Sequence, residues 1–158
     1  MGRSHAWVLR GNEYIEPRPM NWGTNLTMIG AIRLDRWLTM GTLWGATNKD
    51  NFTDWVRRCL VPKLRCGDIV VMDNLKAHKD PRVADLIEAH GASVKYLPPY
   101  SPDLNPIESG WALIKKRIRA VAPREKHALR RAARHARHVI KPHHCHNWFD
   151  YAGFHPHN

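Results

Sequence analysis

The fold is decided by residues 68–97, which read DIVVMDNLKAHKDPRVADLIEAHGASVKYL. The short apolar run at the start predicts a strand over 68–73 that is buried on both faces. Asp80 is followed by proline, which is typical of a helix N-terminus, and helical spacing of apolar residues continues from there. A second strand is expected over 93–97. The stretch therefore predicts a strand–helix–strand unit whose strands are parallel and joined by a right-handed crossover.

Four further segments surround this unit. They are a β-hairpin over 24–45 with its turn at Asp35-Arg36, and helices over 49–60, 106–120 and 124–140. We therefore expect an α/β fold, in which a mixed sheet carries helices on its faces. The length of 158 residues fits one domain. Its expected parts are an irregular segment over 1–23, a core over 24–120, and a basic C-terminal helix and tail over 121–158.

The charge of the chain indicates a polyanionic partner. Lys and Arg total 25 and Asp and Glu total 14, so the net charge is +11. This balance excludes a typical acidic metabolic enzyme and favours nucleic acid, although a merely solvated basic surface stays open. Cysteines occur only at Cys59, Cys66 and Cys145, which excludes a disulfide scaffold. No apolar run reaches the ~20 residues that span a membrane. We expect a cytoplasmic protein without a membrane partner.

Two acidic residues stand where a cation site can form. Asp73 follows the buried strand, and Glu108 begins a helix after a proline-rich loop. Carboxylates in these places can converge on Mg²⁺. Structural alternatives are equally open from the spacing. Asp73 can cap the following turn with Asn74 as an Asx-turn residue. Glu108 can complete a capping box whose N-cap is Asn105.

Two motifs carry a resemblance to a known family. Residues 70–79 read VVMDNLKAHK and residues 96–108 read YLPPYSPDLNPIE, with 34 residues between the two acids. This pattern resembles the catalytic core of insertion-sequence transposases of the mariner-like DDE superfamily. The resemblance implies an RNase H-like fold and three acids that bind two Mg²⁺ or Mn²⁺ ions. It also implies an enzyme that cuts transposon ends and joins them to target DNA.

The same resemblance assigns roles to residues. Asp73 is the second acid and Glu108 the third, and both are catalytic residues and metal ligands. Other residues of the motifs are expected near the site without ligating the metal, namely Asn74, His78 and Asn105.

The first acid of the family has no counterpart in a matching context. Asp35 falls in the predicted turn, and Glu13 and Glu16 flank a possible short strand. We therefore expect the chain to lack the first, central strand and the N-terminal helix-turn-helix region of the family. It is then an N-terminally truncated catalytic domain, inactive or incomplete alone, that self-associates or pairs with an upstream transposase segment. The alternative is a truncated, non-catalytic DNA-binding product that inhibits the full-length transposase.

Three further patterns in the sequence bear on its function. Basic residues that flank the motifs are expected to contact the DNA backbone, namely Lys79, Lys115, Lys116 and Arg119, with more positive charge over 126–137. Adjacent histidines and a cysteine over 143–146, with His155 and His157, suggest zinc, but adjacent ligands have the wrong spacing for it. Trp55 and Trp111 are expected to pack in the core. An unrelated RNA-binding protein is disfavoured by the long proline motif.

Overall fold

A computed structural model describes residues 25–154 of the chain, so the predicted irregular segment over 1–23 lies outside the described residues. The strands are β1 (Leu26–Arg33), β2 (Arg36–Trp44), β3 (Ile69–Met72) and β4 (Ser93–Tyr96). The α-helices are α1 (Lys49–Trp55), α2 (Pro81–Glu88), α3 (Pro106–Val121), α4 (Lys126–Ala136) and α5 (Pro142–Tyr151). Shorter helical turns lie over Val56–Leu60, Val61–Lys63, Pro102–Leu104 and Arg137–Val139. The helix α5 had not been predicted.

The predicted hairpin is present, with a small difference at its turn. Strands β1 and β2 pair antiparallel from Leu26 opposite Trp44 to Arg33 opposite Arg36. The turn therefore occupies residues 34–35, one residue earlier than predicted. The register changes between Ala31 and Ile32, where the ladder is irregular. This change of register near the turn accounts for the shift, because it pairs Arg33 with Arg36 instead of Trp37.

The strand–helix–strand unit has the predicted parallel pairing. Strand β3 pairs with β4 from Ile69 opposite Ser93 to Met72 opposite Tyr96, and α2 connects them. One more backbone bond runs from Leu97 N to Met72 O, at 2.8 Å. Over residues 25–154, the antiparallel and the parallel pair form two separate two-stranded sheets. The predicted α/β class is confirmed, but within these residues the hairpin and the parallel pair do not join into the single mixed sheet that was predicted.

The prediction that β3 is buried on both faces is wrong. Met72 is buried, but Ile69 is 54% exposed and Val71 is 39% exposed. Side chains alternate between the two faces of a strand, so only the face with Val70 and Met72 meets the core. Four apolar residues in a row do not reveal by themselves how many faces of a strand are covered. The structure therefore leaves one apolar face of β3 exposed.

The core lies between the hairpin, the helices α1 and α2, and the inner face of β3. Its buried residues are Ile29, Phe52, Trp55, Val56, Leu60, Val61, Met72, Val83, Ile87 and Ala92. The apolar face predicted for 49–60 is confirmed, including the core position of Trp55. The segment is not one regular helix, because a π-helical turn replaces the α-helix over Val56–Leu60. An ion pair of 2.5 Å between Arg33 and Asp68 links the end of β1 to the start of β3.

A second packed cluster places α3 and α5 against the hairpin. The rings of Trp37 and Trp111 meet edge to face with centroids 4.8 Å apart, as the predicted packing role of Trp111 requires. Gly110 lies beside these rings. A Cβ atom there would lie 2.6 Å from Trp37 Cζ3 and 3.2 Å from Trp148 Cζ3. The absence of a side chain at Gly110 thus allows α3 to approach Trp37 and Trp148 closely.

Helix α4 packs against the outer part of the hairpin. It ends at Ala136, four residues before the predicted end, and continues as a short 3₁₀ turn. Ala133 and Ala136 are buried, in line with the predicted inward face. On the hairpin side, Arg130 Nε donates a 3.2 Å hydrogen bond to Thr42 Oγ1, and Lys126 Nζ lies 5.7 Å from the Trp44 ring centroid. No helix within 25–154 is long and apolar enough to cross a membrane.

The predicted start of α2 is confirmed, and its cap makes the fold sensitive to acid. Asp80 Oδ1 accepts hydrogen bonds from the backbone N of Arg82 at 3.1 Å and from its Nε at 2.9 Å. The side-chain bonds from Arg82 lower the pKa of Asp80 from 3.8 to about 2. The same contacts, with one to Asp50, raise the pKa of Arg82. The ionised carboxylate is therefore favoured in the folded chain.

We expect this cap to lose its stabilising effect between about pH 4 and pH 2. When folding lowers the pKa of a carboxyl group, the group stabilises the protein at any pH above its pKa in the unfolded chain. This stabilisation is lost as the pH falls through the pKa of the folded state. Asp80→Asn keeps a capping side chain but removes the titration. The difference in the urea concentration at the unfolding midpoint between wild type and Asp80→Asn should therefore be smaller at pH 2.5 than at pH 5.5. Asp85→Asn, exposed on the same helix, is the control. A gap independent of pH would contradict this role.

Candidate active site

The two halves of the sequence motif meet at the carboxyl ends of β3 and β4. Asp73 and Asn74 follow β3, and Leu97 follows β4. Parallel pairing brings these ends side by side, and Asn74 Nδ2 donates a hydrogen bond to Leu97 O. Asn74 is therefore not the Asx-turn residue of the alternative interpretation. Its side chain instead joins the strand that carries Asp73 to the start of the proline-rich loop.

The Asp73 carboxylate is held through one of its oxygens. Its Oδ1 accepts a 3.1 Å hydrogen bond from Leu75 N and lies 2.6 Å from His78 Nδ1. The bond to Leu75 is an Asx turn, so the capping alternative for Asp73 does occur in the structure. It engages a single oxygen, and the side chain stays 42% exposed. Asp73 can therefore cap the turn and still present Oδ2 to a cation.

His78 fixes this carboxylate from the core side. Its ring packs on Phe52 with centroids 4.3 Å apart, and its side chain is 18% exposed. Its backbone oxygen accepts a 3.1 Å hydrogen bond from Tyr96 Oη. One contact thus holds the ring of His78 and the other holds its backbone. Because an outer partner that orients a carboxylate tunes its binding of a metal, His78 has the geometry of a positioning residue for Asp73.

Glu108 stands in the first turn of α3, and its side chain is exposed. The capping alternative predicted a bond between Asn105 and this turn. Within the described structure, the Asn105 side chain makes no such bond and no capping box forms. Glu108 also has no ion-pair partner within 4 Å among residues 25–154. The Glu108 carboxylate is therefore open to a cation from outside the described residues.

The loop between Leu97 and Glu108 contains an unusual residue that sequence reasoning missed. Tyr100 is fully exposed and has φ of 58°, in the left-handed region that non-glycine residues rarely adopt. Such a conformation costs roughly 1–3 kcal/mol and is often found near functional sites. Prolines predicted a stiff loop here, but no pattern in the sequence indicated the conformation or exposure of this tyrosine.

The donor chemistry of the site suits a hard divalent cation. Asp73 and Glu108 offer carboxylate oxygens, which are the ligands that Mg²⁺ and Mn²⁺ prefer. In the described part of the chain, no group of three or more His, Cys, Asp or Glu residues could hold a metal. Asp35 lies in the hairpin turn, 3.4 Å from Arg36. Glu13 and Glu16 lie outside the described residues. The described part thus offers two of the three acids that the family pattern requires.

Exposed cations flank the two acids in sequence. Lys79 lies in the turn after Asp73, and three more lie on α3, namely Lys115, Lys116 and Arg119. All four side chains are exposed, and none has an ion-pair partner within 4 Å in residues 25–154. Their charges are therefore open to an external anion.

The residues that suggested zinc lie mostly on α5. Cys145 is fully buried, whereas His143 and His146 are exposed and His144 is half-buried. Burial raises the pKa of the Cys145 thiol. Neighbouring residues of a helix point in different directions, so 143–146 cannot converge on one ion. His155 and His157 lie outside the described residues. The other two thiols differ in exposure, since Cys66 is exposed and Cys59 is half-buried.

Comparisons with known proteins agree with this arrangement. The sequence model of the family described as DDE superfamily endonuclease matches residues 1–130. Among solved structures, the chain is similar to one in the crystal structure of the Mos1 strand transfer complex, with a TM-score of 0.53 and 20% identity. The match covers 96% of this chain and 50% of that one, so this chain spans about half its length. None of the curated proteins matches. The structural likeness confirms the predicted RNase H-like α/β class.

Proposed function

Because this chain belongs to the DDE superfamily endonuclease family, we propose that it carries the second and third acids of a DNA transposase. The activity we propose is metal-dependent cleavage of insertion-sequence ends and their joining to target DNA. The observation that carries the proposal is the state of Asp73. Its Oδ1 accepts a hydrogen bond from Leu75 N and lies 2.6 Å from His78 Nδ1, and the side chain is still 42% exposed at the end of a strand.

Asp73 and Glu108 would hold Mg²⁺ or Mn²⁺, with two ions in the complete enzyme. Ions in such a site supply Lewis-acid stabilisation of the phosphate and of the attacking and leaving oxygens. The residues of the chain prepare this chemistry. His78 orients Asp73, and the first turn of α3 holds the Glu108 side chain exposed after the proline-rich loop. The bond from Asn74 to Leu97 ties the Asp73 turn to the loop that leads to Glu108.

The DNA backbone is the proposed partner of the cations around the site. Lys79, Lys115, Lys116 and Arg119 are long, exposed side chains without described acidic partners. Such residues neutralise phosphates irrespective of base sequence, and they position DNA rather than read it. We place this activity in the bacterial cytosol, on nucleoid DNA.

We further propose that the third carboxylate comes from another transposase segment, either upstream or in a second copy. Residues 25–154 bring no third ligand to the two acids. The outer face of β3, the strand that leads to Asp73, exposes Ile69 and Val71, which form an apolar surface on which a further strand or helix can pack. A pairing segment placed on this face would lie beside Asp73.

The experiment combines a cleavage assay with a metal-mapping assay. Labelled duplexes that carry an insertion-sequence end are incubated with Mg²⁺ or Mn²⁺ and chain 1–158, alone or with the N-terminal segment of a complete transposase. We expect cleavage to rise when the segment is present. In parallel, Fe²⁺ with ascorbate should cut the polypeptide near residues 73 and 108, without any need for DNA cleavage. Absence of these two cuts would overturn the proposed metal site.

The same experiment separates the alternative function. If the chain lowers the activity of a complete transposase and the added segment never produces cleavage, the chain is a non-catalytic inhibitor. If the added segment produces cleavage, the chain is a catalytic component.

A further inference from the structure

Helix α4 presents a dense group of cationic and imidazole side chains that the proposed active site does not use. An open recess of about 410 Å³ is lined by five residues of this one helix, namely His127, Arg130, Arg131, Arg134 and His135. Within Lys126–Ala136 there is no acidic residue. Three arginines and two histidines thus share about two turns of helix.

The positive charge in this recess is not neutralised by the described structure. None of the three arginines has an ion-pair partner within 4 Å in residues 25–154, and Arg130 bonds only the neutral hydroxyl of Thr42. Residues three and four apart on a helix lie about 5–6 Å from each other, so these like charges repel. The first turn also carries Lys126 and His127, opposite to what the helix dipole favours. The arrangement destabilises the free helix, and a bound polyanion would relieve the repulsion.

The packing of α4 keeps this face directed outwards. Ala133 and Ala136 are buried on the opposite side of the helix. Contacts of Lys126 with Trp44 and of Arg130 with Thr42 attach the helix to β2. Arg131 and Arg134 remain exposed and free to move towards a ligand. The face is therefore presented by a fixed helix rather than by a loop.

We propose that this α4 recess binds the phosphates of duplex DNA, at a site separate from Asp73 and Glu108. Guanidinium groups match phosphate oxygens in paired, charge-assisted hydrogen bonds. A duplex carries one negative charge per roughly 1.7 Å of its axis, which suits several cations spread along about 12 Å of helix. Of the lining residues, Arg131, Arg134 and His135 lie beyond the part of the chain that the family model matches. The choice of DNA rests on the proposed function.

The test compares two variants with the same change of charge. Arg131→Gln/Arg134→Gln removes two cations from the recess, and Arg57→Gln/Arg65→Gln removes two exposed cations elsewhere. The affinity of the whole chain for a labelled duplex of random sequence is measured by fluorescence anisotropy over a series of KCl concentrations. We expect the recess variant to bind about tenfold more weakly, with a plot of log K against log[KCl] shallower by about 2. The control variant should change little.

A second variant guards against misfolding. Arg131→Lys/Arg134→Lys keeps the charge and should retain most of the affinity, and thermal unfolding monitored by circular dichroism checks that all variants fold. An equal loss in the recess and control variants would overturn the proposal. The proposal would also be overturned if the recess variant lost affinity for duplex RNA but kept its affinity for duplex DNA.

The readouts also separate this site from the proposed function. Asp103→Asn should keep duplex affinity, because this exposed carboxylate lies outside the recess and has no role in the proposed metal site. If the recess variant loses DNA binding while the chain shows no metal-dependent chemistry, the α4 site stands and the proposed function fails. If metal-dependent chemistry is present and the recess variant binds DNA like wild type, the proposed function stands and the α4 site fails.

Discussion

Asp73→Asn and Glu108→Gln are each expected to lower metal-dependent DNA cleavage by about a thousandfold. Each substitution keeps the shape of the side chain and removes the negative charge that a divalent cation requires. Stabilisation by the metal contributes several kcal/mol to the transition state, and roughly 1.4 kcal/mol corresponds to a factor of ten. The measurement is the initial rate of cleavage of a labelled insertion-sequence end, with the transposase segment that raises activity present.

A carboxylate in the same loop supplies the matched control. Asp103 is exposed and lies five residues before Glu108. Asp103→Asn makes the same chemical change as Asp73→Asn and should leave the rate within about twofold of wild type. If all three variants lose activity equally, the effect comes from the loop or the net charge, and the assignment of the two acids is wrong. Duplex affinity, measured in parallel, should stay constant for all three.

Gly110→Ala is expected to destabilise the fold by about 1–3 kcal/mol, although alanine is the better helix former. Helix propensity alone would favour alanine by roughly 1 kcal/mol. The added Cβ would lie 2.6 Å from Trp37 Cζ3, closer than unbonded carbon atoms approach. The bulky indole rings of Trp37 and Trp148 would have to shift together. Overpacking therefore outweighs propensity, and the urea midpoint should fall.

A substitution at the neighbouring Ser109 tests the effect of helix propensity alone. Ser109→Ala on the same turn of α3 also raises helix propensity, and it adds no atom to the packing because serine already has a Cβ. It should leave the free energy of unfolding unchanged or slightly raised. A stabilised Gly110→Ala variant would show that the cluster around Trp37 is loosely packed.

Features that depend on neighbouring residues were predictable from the sequence. The start of α2 follows from Asp80 and proline, because the cap and the first helical residue are adjacent in the chain. The parallel pairing of β3 with β4 follows from a strand–helix–strand order with a short connection. The apolar face of 49–60 also follows from spacing alone. In each case the information lies within a few residues.

Features that depend on distant parts of the chain were not predictable. The exposure of Ile69 and Val71 depends on what covers β3, and the local run cannot specify it. Helix α5 packs through Trp148 beside Gly110, nearly 40 residues earlier in the chain. For the site, the motif identified Asp73 and Glu108, but not which oxygen of Asp73 is engaged. The contact with His78 and the backbone of Tyr100 likewise required the folded structure.

The three thiols differ in their availability as nucleophiles. Only the thiolate form attacks electrophiles and oxidants, and it must be reached by them. Cys145 is fully buried and the pKa of its thiol is raised by that burial, so both access and ionisation limit its reaction. Cys66 is exposed, and Cys59 is half-buried. In the folded protein, oxidation and alkylation therefore begin at Cys66, and modification of Cys145 reports that α5 has separated from its neighbours.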